Sequence, residues 1–225
     1  MISKCLIVPY FGDYPEWMDL WFANTKRMKT LGYDFLFDTD EADFKKRVWR
    51  KLGIECSPMT GTGRIWNFRP ALGVLYEDEI KEFDFWGHTD FDCVYGRVEN
   101  WVTDDFLDNL DVHSNHHSYI CGPWSLFRNE PVVNNLFRHT DEWAARMEGE
   151  DCSHGWAEKG FSEIVDRAND EGLIRKAYTF WQTRDLNNYD TLHFEGDKLM
   201  EGKEEVFFAH FRRTKEYPVG CVLTP

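Results

Sequence analysis

Phe83-Asp84-Phe85-Trp86-Gly87-His88-Thr89-Asp90-Phe91-Asp92 is an aromatic, apolar run that ends in two carboxylates separated by one residue. An apolar run of this length with polar flanks predicts a buried strand. Side chains alternate between the faces of a strand, so Asp90 and Asp92 are expected on one side where it emerges. Two carboxylates on one face repel each other unless a cation lies between them. Oxygen-rich sites of that kind suit Mg²⁺ or Mn²⁺, ions that commonly hold a diphosphate as well. The competing reading is a solvated strand end. The buried run leading into the pair favours a metal–nucleotide site.

Upstream, strand and helix signals alternate. Cys5 to Tyr10 reads as a strand closed by Phe11-Gly12-Asp13-Tyr14-Pro15, and Glu16 to Thr30 carries apolar residues at near-helical spacing until Gly32. Tyr33 to Phe37 predicts a second strand, ending in Asp38-Thr39-Asp40. A charged helix is expected from Glu41 to Leu52, stopped by Gly53. Arg64-Ile65-Trp66 reads as a short strand, and Arg69 to Lys81 as a helix with Pro70 near its first turn. This β-α-β-α order predicts an α/β fold, a mostly parallel central sheet with helices on both faces. In open sheets of this type ligands bind beyond the C-terminal strand ends. Asp38, Asp40, Asp90 and Asp92 all fall there.

The second half is less regular. Helices are expected over Val98–Leu110, Glu130–Met147 and Ala157–Asn169. Strands are expected over Ser118–Phe127, interrupted at Gly122-Pro123, and over Ala177–Gln182, Leu192–Phe194 and Val206–Phe211. No repeat or Pro/Ser-rich linker divides the chain. A single domain over 1–225 follows, with a nucleotide-binding half at 1–96 and an irregular half at 97–225.

Composition narrows the function classes. The net charge of −14 argues against nucleic acid, whose phosphates demand a basic footprint. It also means that a diphosphate can bind only where local cations overcome the global field. Aromatic residues make up 16%, enough to line a cleft as well as fill a core. No apolar stretch approaches the ~20 residues that span a bilayer. The N-terminus reads as a strand, not a signal peptide. The six cysteines are scattered without a Cys-x-x-Cys pair, which weakens zinc-ribbon and redox-motif readings; the even count would permit disulfides, but with no export signal read, a reducing compartment is expected.

Several blocks together carry a resemblance. They are the strand end Pro9-Tyr10-Phe11, the Asp-rich end of the second strand, Asn67-Phe68-Arg69-Pro70-Ala71-Leu72-Gly73, and Asp84 to Asp92 followed by Gly96. Ser125-Leu126-Phe127-Arg128-Asn129 and Phe208-Ala209-His210-Phe211 also fit. Over most of its length the chain resembles small GT-A-fold glycosyltransferases, of a group found in bacterial surface-polysaccharide gene sets and large algal viruses. The resemblance implies a GT-A-like, Rossmann-related sheet. It implies that Asp90 and Asp92 are the Asp-x-Asp motif, binding Mn²⁺ or Mg²⁺ and through it the diphosphate of a nucleotide-sugar donor. His210 matches a further metal ligand. Pro9, Tyr10 and Asp38 match the nucleoside region, Arg69 a cation near the diphosphate or donor sugar, and Trp124 a wall facing the sugar. Glu158, in Trp156-Ala157-Glu158-Lys159-Gly160-Phe161-Ser162, is the preferred active-site acid, with Asp151 in reserve. Ala157 departs from the family, which often has another acid there. The location implied is the cytoplasm, or the host cytoplasm for a viral chain.

Structural alternatives stand beside these roles. Asp38 and Asp40 suit caps of the helix beginning at Glu41. His210 could be a core histidine, Arg69 a partner of a carboxylate at a helix start, Glu158 an exposed helix acid and Trp124 a packing residue. His113, His116 and His117 lack a partner at fixed spacing and read as loop residues. The expected activity is metal-dependent transfer of a sugar from a nucleoside diphosphate, UDP foremost, to a hydroxyl of a glycan, free or on a glycoprotein. The place of His210 resembles retaining members, whereas an inverting enzyme would need a carboxylate base. Two other classes remain open. One is a nucleotidyl- or phosphoryl-transferase using the same acidic pair, although the chain has no Walker pattern. The other is a non-catalytic carbohydrate-binding module.

Overall fold

In the computed structural model, the protein is described over residues 1–16, 18–59, 64–149, 155–181, 183–185 and 192–210, without the side chains of 183–185. The chain organises around β1 (Lys4–Pro9), whose run Cys5-Leu6-Ile7-Val8 is buried throughout. Cys5 and Ile7 pack on one side with Phe44, Leu72 and Val165, whereas Leu6 and Val8 pack on the other among Met28, Trp21 and Phe85. A strand apolar at every position is one covered on both faces.

The other strands are β2 (Tyr33–Asp38), β3 (Phe85–His88), β4 (Cys93–Tyr95), β5 (Val112–Ser114), β6 (Ser125–Arg128), β7 (Lys176–Tyr178), β8 (Thr183–Asp185), β9 (Leu192–Glu195), β10 (Lys198–Glu201), β11 (Glu204–Glu205) and β12 (Phe208–His210). Six of them form the central sheet in the order β2-β1-β3-β6-β5-β7. Its pairings are parallel for β1–β2, β1–β3 and β5–β7, and antiparallel where β6 meets β3 and β5. The sheet is therefore mostly parallel, as expected, with one reversed strand inside it. A three-stranded sheet, β4-β12-β8, packs on the Leu6/Val8 side, and β11-β10-β9 forms another.

The helices are α1 (Met18–Lys29), α2 (Glu41–Leu52), α3 (Leu72–Leu75), α4 (Glu77–Ile80), α5 (Asp104–Asp108), α6 (Pro131–Asn134), α7 (Trp143–Glu148) and α8 (Phe161–Asp170). Helix α2 shows why its ends were readable. The Asp40 side chain accepts the N–H of Asp43 at 3.0 Å, and Gly53 takes a φ of +73° while its N–H reaches the Trp49 carbonyl at 3.0 Å. An acceptor cap at one end and a left-handed glycine at the other define the helix. Phe44 and Val48, one turn apart, are buried, each contributing roughly 1.5–3 kcal/mol.

The structure corrects several expectations. Arg64–Trp66 is not a strand but the start of a 3-10 helix, Arg64–Ala71. The Arg69–Lys81 helix is broken into that segment, α3 and α4. Pro70 removes a backbone donor, and the helix breaks again at Tyr76, whose hydroxyl is drawn to Asp38 at 2.5 Å. Strand β3 ends at His88, so Asp90 and Asp92 lie beyond it in a turn, and strand alternation is not what brings them together. Val98–Leu110 and Glu130–Met147 are also short pieces. Asn115 to Trp124 is largely loop, leaving β6 as the strand. Trp17, Gln182 and Phe211, at the edges of expected elements, lie outside the described residues, as do Cys152 and Cys221. Cys5, Cys56, Cys93 and Cys121 are free thiols. No helix among the described residues is long and apolar enough to cross a membrane.

Candidate active site

Strands β1 and β3 run parallel with Ile7 beside His88, so Pro9-Tyr10 and Thr89-Asp90 leave the sheet at the same edge. A cavity of about 150 Å³ opens there, lined by Pro9, Tyr10, Trp66, Arg69, Asp90 and Phe91 among others. It lies beyond the C-terminal strand ends, where open α/β sheets take ligands. The Tyr10 ring stands 4.2 Å from that of Phe91 and lies nearly parallel to Phe37 at 6.3 Å, forming an aromatic wall. The Tyr10 hydroxyl donates to the Asp13 carbonyl at 2.5 Å. Burial and the nearby Asp13 raise its pKa.

The two carboxylates are placed by a pinned turn. Thr89 donates its hydroxyl to the Pro123 carbonyl at 2.6 Å and accepts from the Tyr95 hydroxyl at 2.7 Å. The chain then turns through Phe91-Asp92 into β4. Strand β12 pairs antiparallel with β4, setting His210 opposite Cys93. This brings His210 Nε2 to 3.2 Å from Asp92 Oδ1 and 3.7 Å from Asp90 Oδ2. Cis ligands of an octahedral ion with bonds of ~2.1 Å stand ~3 Å apart, a separation that Asp92 and His210 match, whereas Asp90 stands farther from His210 and gives its other oxygen to Arg69. Carboxylates suit Mg²⁺ or Mn²⁺, and an imidazole beside them moves the preference away from Mg²⁺ toward transition metals. Cys93 Sγ lies within 4.8 Å of the Asp92 and His210 ligand atoms. Burial, then the charges of Asp92 and Asp90, push its thiol pKa far up and keep it protonated.

A second group of side chains meets at Gly122. The Arg69 guanidinium pairs with Asp90 and lies 5.9 Å from the centre of the Trp66 ring. Glu158 sits on a wide π-helical turn, Gly155–Gly160, that leads into α8. Turns of this kind are frequent at functional sites. Glu158 Oε1 accepts the Gly122 N–H at 3.1 Å. A Cβ at position 122 would collide with the Arg69 guanidinium and stand 3.1 Å from Asp90 Oδ2 and 3.2 Å from Glu158 Oε1. A side chain there would have to displace the end of Arg69 and crowd the two carboxylates. Its carbonyl faces His88 Nδ1 at 3.2 Å, so that nitrogen carries the ring proton. Burial, helped by the Arg69 charge, lowers the His88 pKa to about 3 and keeps the ring neutral.

The remaining expected residues are less central. Asp38 accepts from the Tyr76 hydroxyl and, at 3.0 Å, from the Asp40 N–H, while its carbonyl takes the Tyr10 N–H at 2.8 Å. It braces the end of β1, and Asp40 is the helix cap. Trp124 has no exposed surface and packs among Tyr33, Tyr95 and Phe207, so its side chain belongs to the core and not to the cleft. Asp151 lies outside the described residues. Sequence alone does not single out Gly122 or His88. A Gly-Pro break inside a strand-like run is the signal for the first. For the second, it is a histidine two residues before the acidic pair.

The sequence matches the model of a family of unknown function, DUF6625, over residues 6–215. The chain belongs to that family. No curated protein matches it in sequence. Its fold is similar to the crystal structure of a glycosyltransferase involved in the glycosylation of the major capsid of PBCV-1. The TM-score is 0.52, with 12% identity over 94% of each chain. A197 from STIV also matches, with a TM-score of 0.38 and 11% identity over 92% of this chain and 94% of that one. At 12% identity the likeness to the glycosyltransferase is one of fold, and the DUF6625 chain has a glycosyltransferase-like α/β architecture.

Proposed function

We propose that the chain is a metal-dependent glycosyltransferase that moves a sugar from a nucleoside diphosphate, UDP expected, to a hydroxyl of a glycan. The convergence of Asp90, Asp92 and His210 beside Arg69, at the C-terminal edge of the sheet, carries this reading. The fold it shares with a glycosyltransferase supports it. Asp90, Asp92 and His210 would hold Mn²⁺ or Mg²⁺. Such an ion, when bound, stabilises the charge that builds on the departing diphosphate. Arg69 offers a planar, always charged fork suited to phosphate oxygens. In a −14 chain these local cations answer the field that would otherwise repel the donor.

Pro9 and Tyr10 line the nucleoside side of the cleft, held in place by the backbone of Asp38. Glu158, fixed by the Gly122 N–H and close to Asp90, orients the acceptor hydroxyl. We favour retention of anomeric configuration, in which a diphosphate oxygen takes the acceptor proton on the departing face and no separate carboxylate base is required.

Calorimetry with UDP, with and without Mn²⁺, tests the proposal. Affinity that rises with Mn²⁺ supports it. Absence of UDP binding in both buffers overturns it, and sugar affinity indifferent to metal and nucleotide would mark a binding module instead.

A further inference from the structure

A separate aromatic surface lies on the loop between β5 and β6, beside the residues that follow β7. The His116 and His117 rings stack with centroids 4.2 Å apart, and Tyr119 lies 3.6 Å from His116. Phe180 meets both imidazoles edge-on, at 6.4 and 5.9 Å. Phe180 is 65% exposed, and His117 is exposed too. This exposure is built in. Asn115 Oδ1 accepts from the Thr179 hydroxyl at 3.4 Å and from the Trp181 N–H at 2.9 Å, so the backbone is held on both sides of Phe180. Trp181 turns inward onto His113 while Phe180 points to solvent.

The same loop ends in the candidate active site. Ile120 donates its N–H to Ser162 Oγ at 2.7 Å, and Ser162 in turn donates to the Glu158 carbonyl at 2.5 Å. Two residues later, Gly122 binds the Glu158 carboxylate. Tyr119 and Gly122 are three residues apart, which limits their Cα separation to ~11 Å. A short oligosaccharide spans that distance.

The chemistry of the surface suits a sugar. Flat rings accept the C–H face of a pyranose, and ring nitrogens exchange hydrogen bonds with its hydroxyls. His116 Nδ1 accepts the Ser118 N–H at 3.2 Å, leaving Nε2 to carry the ring proton. The group contains no lysine or arginine, and the chain carries a net charge of −14, so an acidic glycan is disfavoured. We propose that the exposed rings of Phe180 and His117, backed by His116 and Tyr119, form a platform for a neutral glycan, laid with its C–H face on a ring and its end directed toward Gly122 and Glu158. That the glycan is the acceptor rests on the transferase reading; the platform itself does not.

The test is binding of the intact protein to an array of neutral oligosaccharides, followed by calorimetry with the best-bound member. Phe180→Ala combined with His117→Ala should weaken that binding about tenfold or more, a change of ~1.4 kcal/mol. Phe180→Trp should preserve it. Both positions are exposed, so an unchanged thermal midpoint will accompany the loss. The platform is overturned if the wild type binds no neutral glycan or if the double variant binds as well as wild type. UDP–Mn²⁺ calorimetry on the same proteins separates the two readings. Loss of glycan binding with no UDP binding in the wild type keeps the platform and removes the transferase. Unaltered glycan binding with intact UDP affinity does the reverse.

Discussion

His210 Nε2 stands 3.2 Å from Asp92 Oδ1 because β12 lies antiparallel against β4, with His210 opposite Cys93. Two distant parts of the chain thus complete one cluster. Loss of groups that merely orient a metal ligand costs 10–100-fold in metal affinity. Loss of a ligand itself should reach at least the upper end of that range, ~2.7 kcal/mol. Asp92→Asn and His210→Ala are each expected to weaken Mn²⁺-dependent UDP binding about 100-fold, as read by calorimetry. Affinity for UDP without metal should stay at the wild-type level. A full-affinity Asp92→Asn protein would remove that carboxylate from the site.

Gly122 offers a steric test. The Cβ of an alanine would press on Arg69, Asp90 and Glu158 together. Overpacking of this kind costs ~1–3 kcal/mol. Gly122→Ala should lower the denaturant midpoint accordingly and weaken UDP–Mn²⁺ binding by displacing the Arg69 fork. Unchanged stability and affinity would mean that the three side chains have room to move apart.

Glu158→Gln separates the two stereochemical courses. Glutamine keeps an oxygen for the Gly122 N–H but cannot accept a proton as a base. General-base catalysis is worth ~10²–10⁴-fold. With retention, the substitution should reduce kcat by less than about 100-fold, and NMR of the first-formed product should show the anomeric configuration of the donor. A loss of about 1,000-fold with an inverted product would make Glu158 the base.

The parts of the fold legible in sequence are those with their own punctuation. Asp40 and Gly53 cap α2, and the unbroken run Cys5 to Val8 marks a strand covered on both faces. Asp90 and Asp92 were also legible, but for a reason the structure replaces. The pinned turn at Thr89 places them and the pairing of β12 with β4 brings His210 beside them, and neither leaves a local trace. Strands β5, β6 and β7 are three or four residues long, too short for a period to distinguish strand from helix. Trp124 illustrates a further limit. An aromatic residue after Gly-Pro looks the same in sequence whether it faces a sugar or fills a core. The surroundings that decide it, Tyr33 and Phe207, lie far away along the chain.

His113 makes stability depend on pH in a defined window. It is buried beneath Phe106 and Trp181, with Nε2 at 2.9 Å from the Thr179 hydroxyl, and burial lowers its pKa from 6.5 to about 3. Between those values the unfolded chain binds a proton that the native ring refuses, so stability rises with pH and falls as pH drops below 6.5. Each such group contributes a slope of up to ~1.4 kcal/mol per pH unit. His88, also lowered to about 3, adds a second slope of the same sign. Denaturant unfolding between pH 5 and 6, with most carboxylates still ionised, should show the effect. His113→Asn should unfold more easily near neutral pH but with a shallower dependence, by roughly one proton, so that the two proteins draw together as the pH falls. Equal slopes in the two proteins would mean that the native state admits the proton after all.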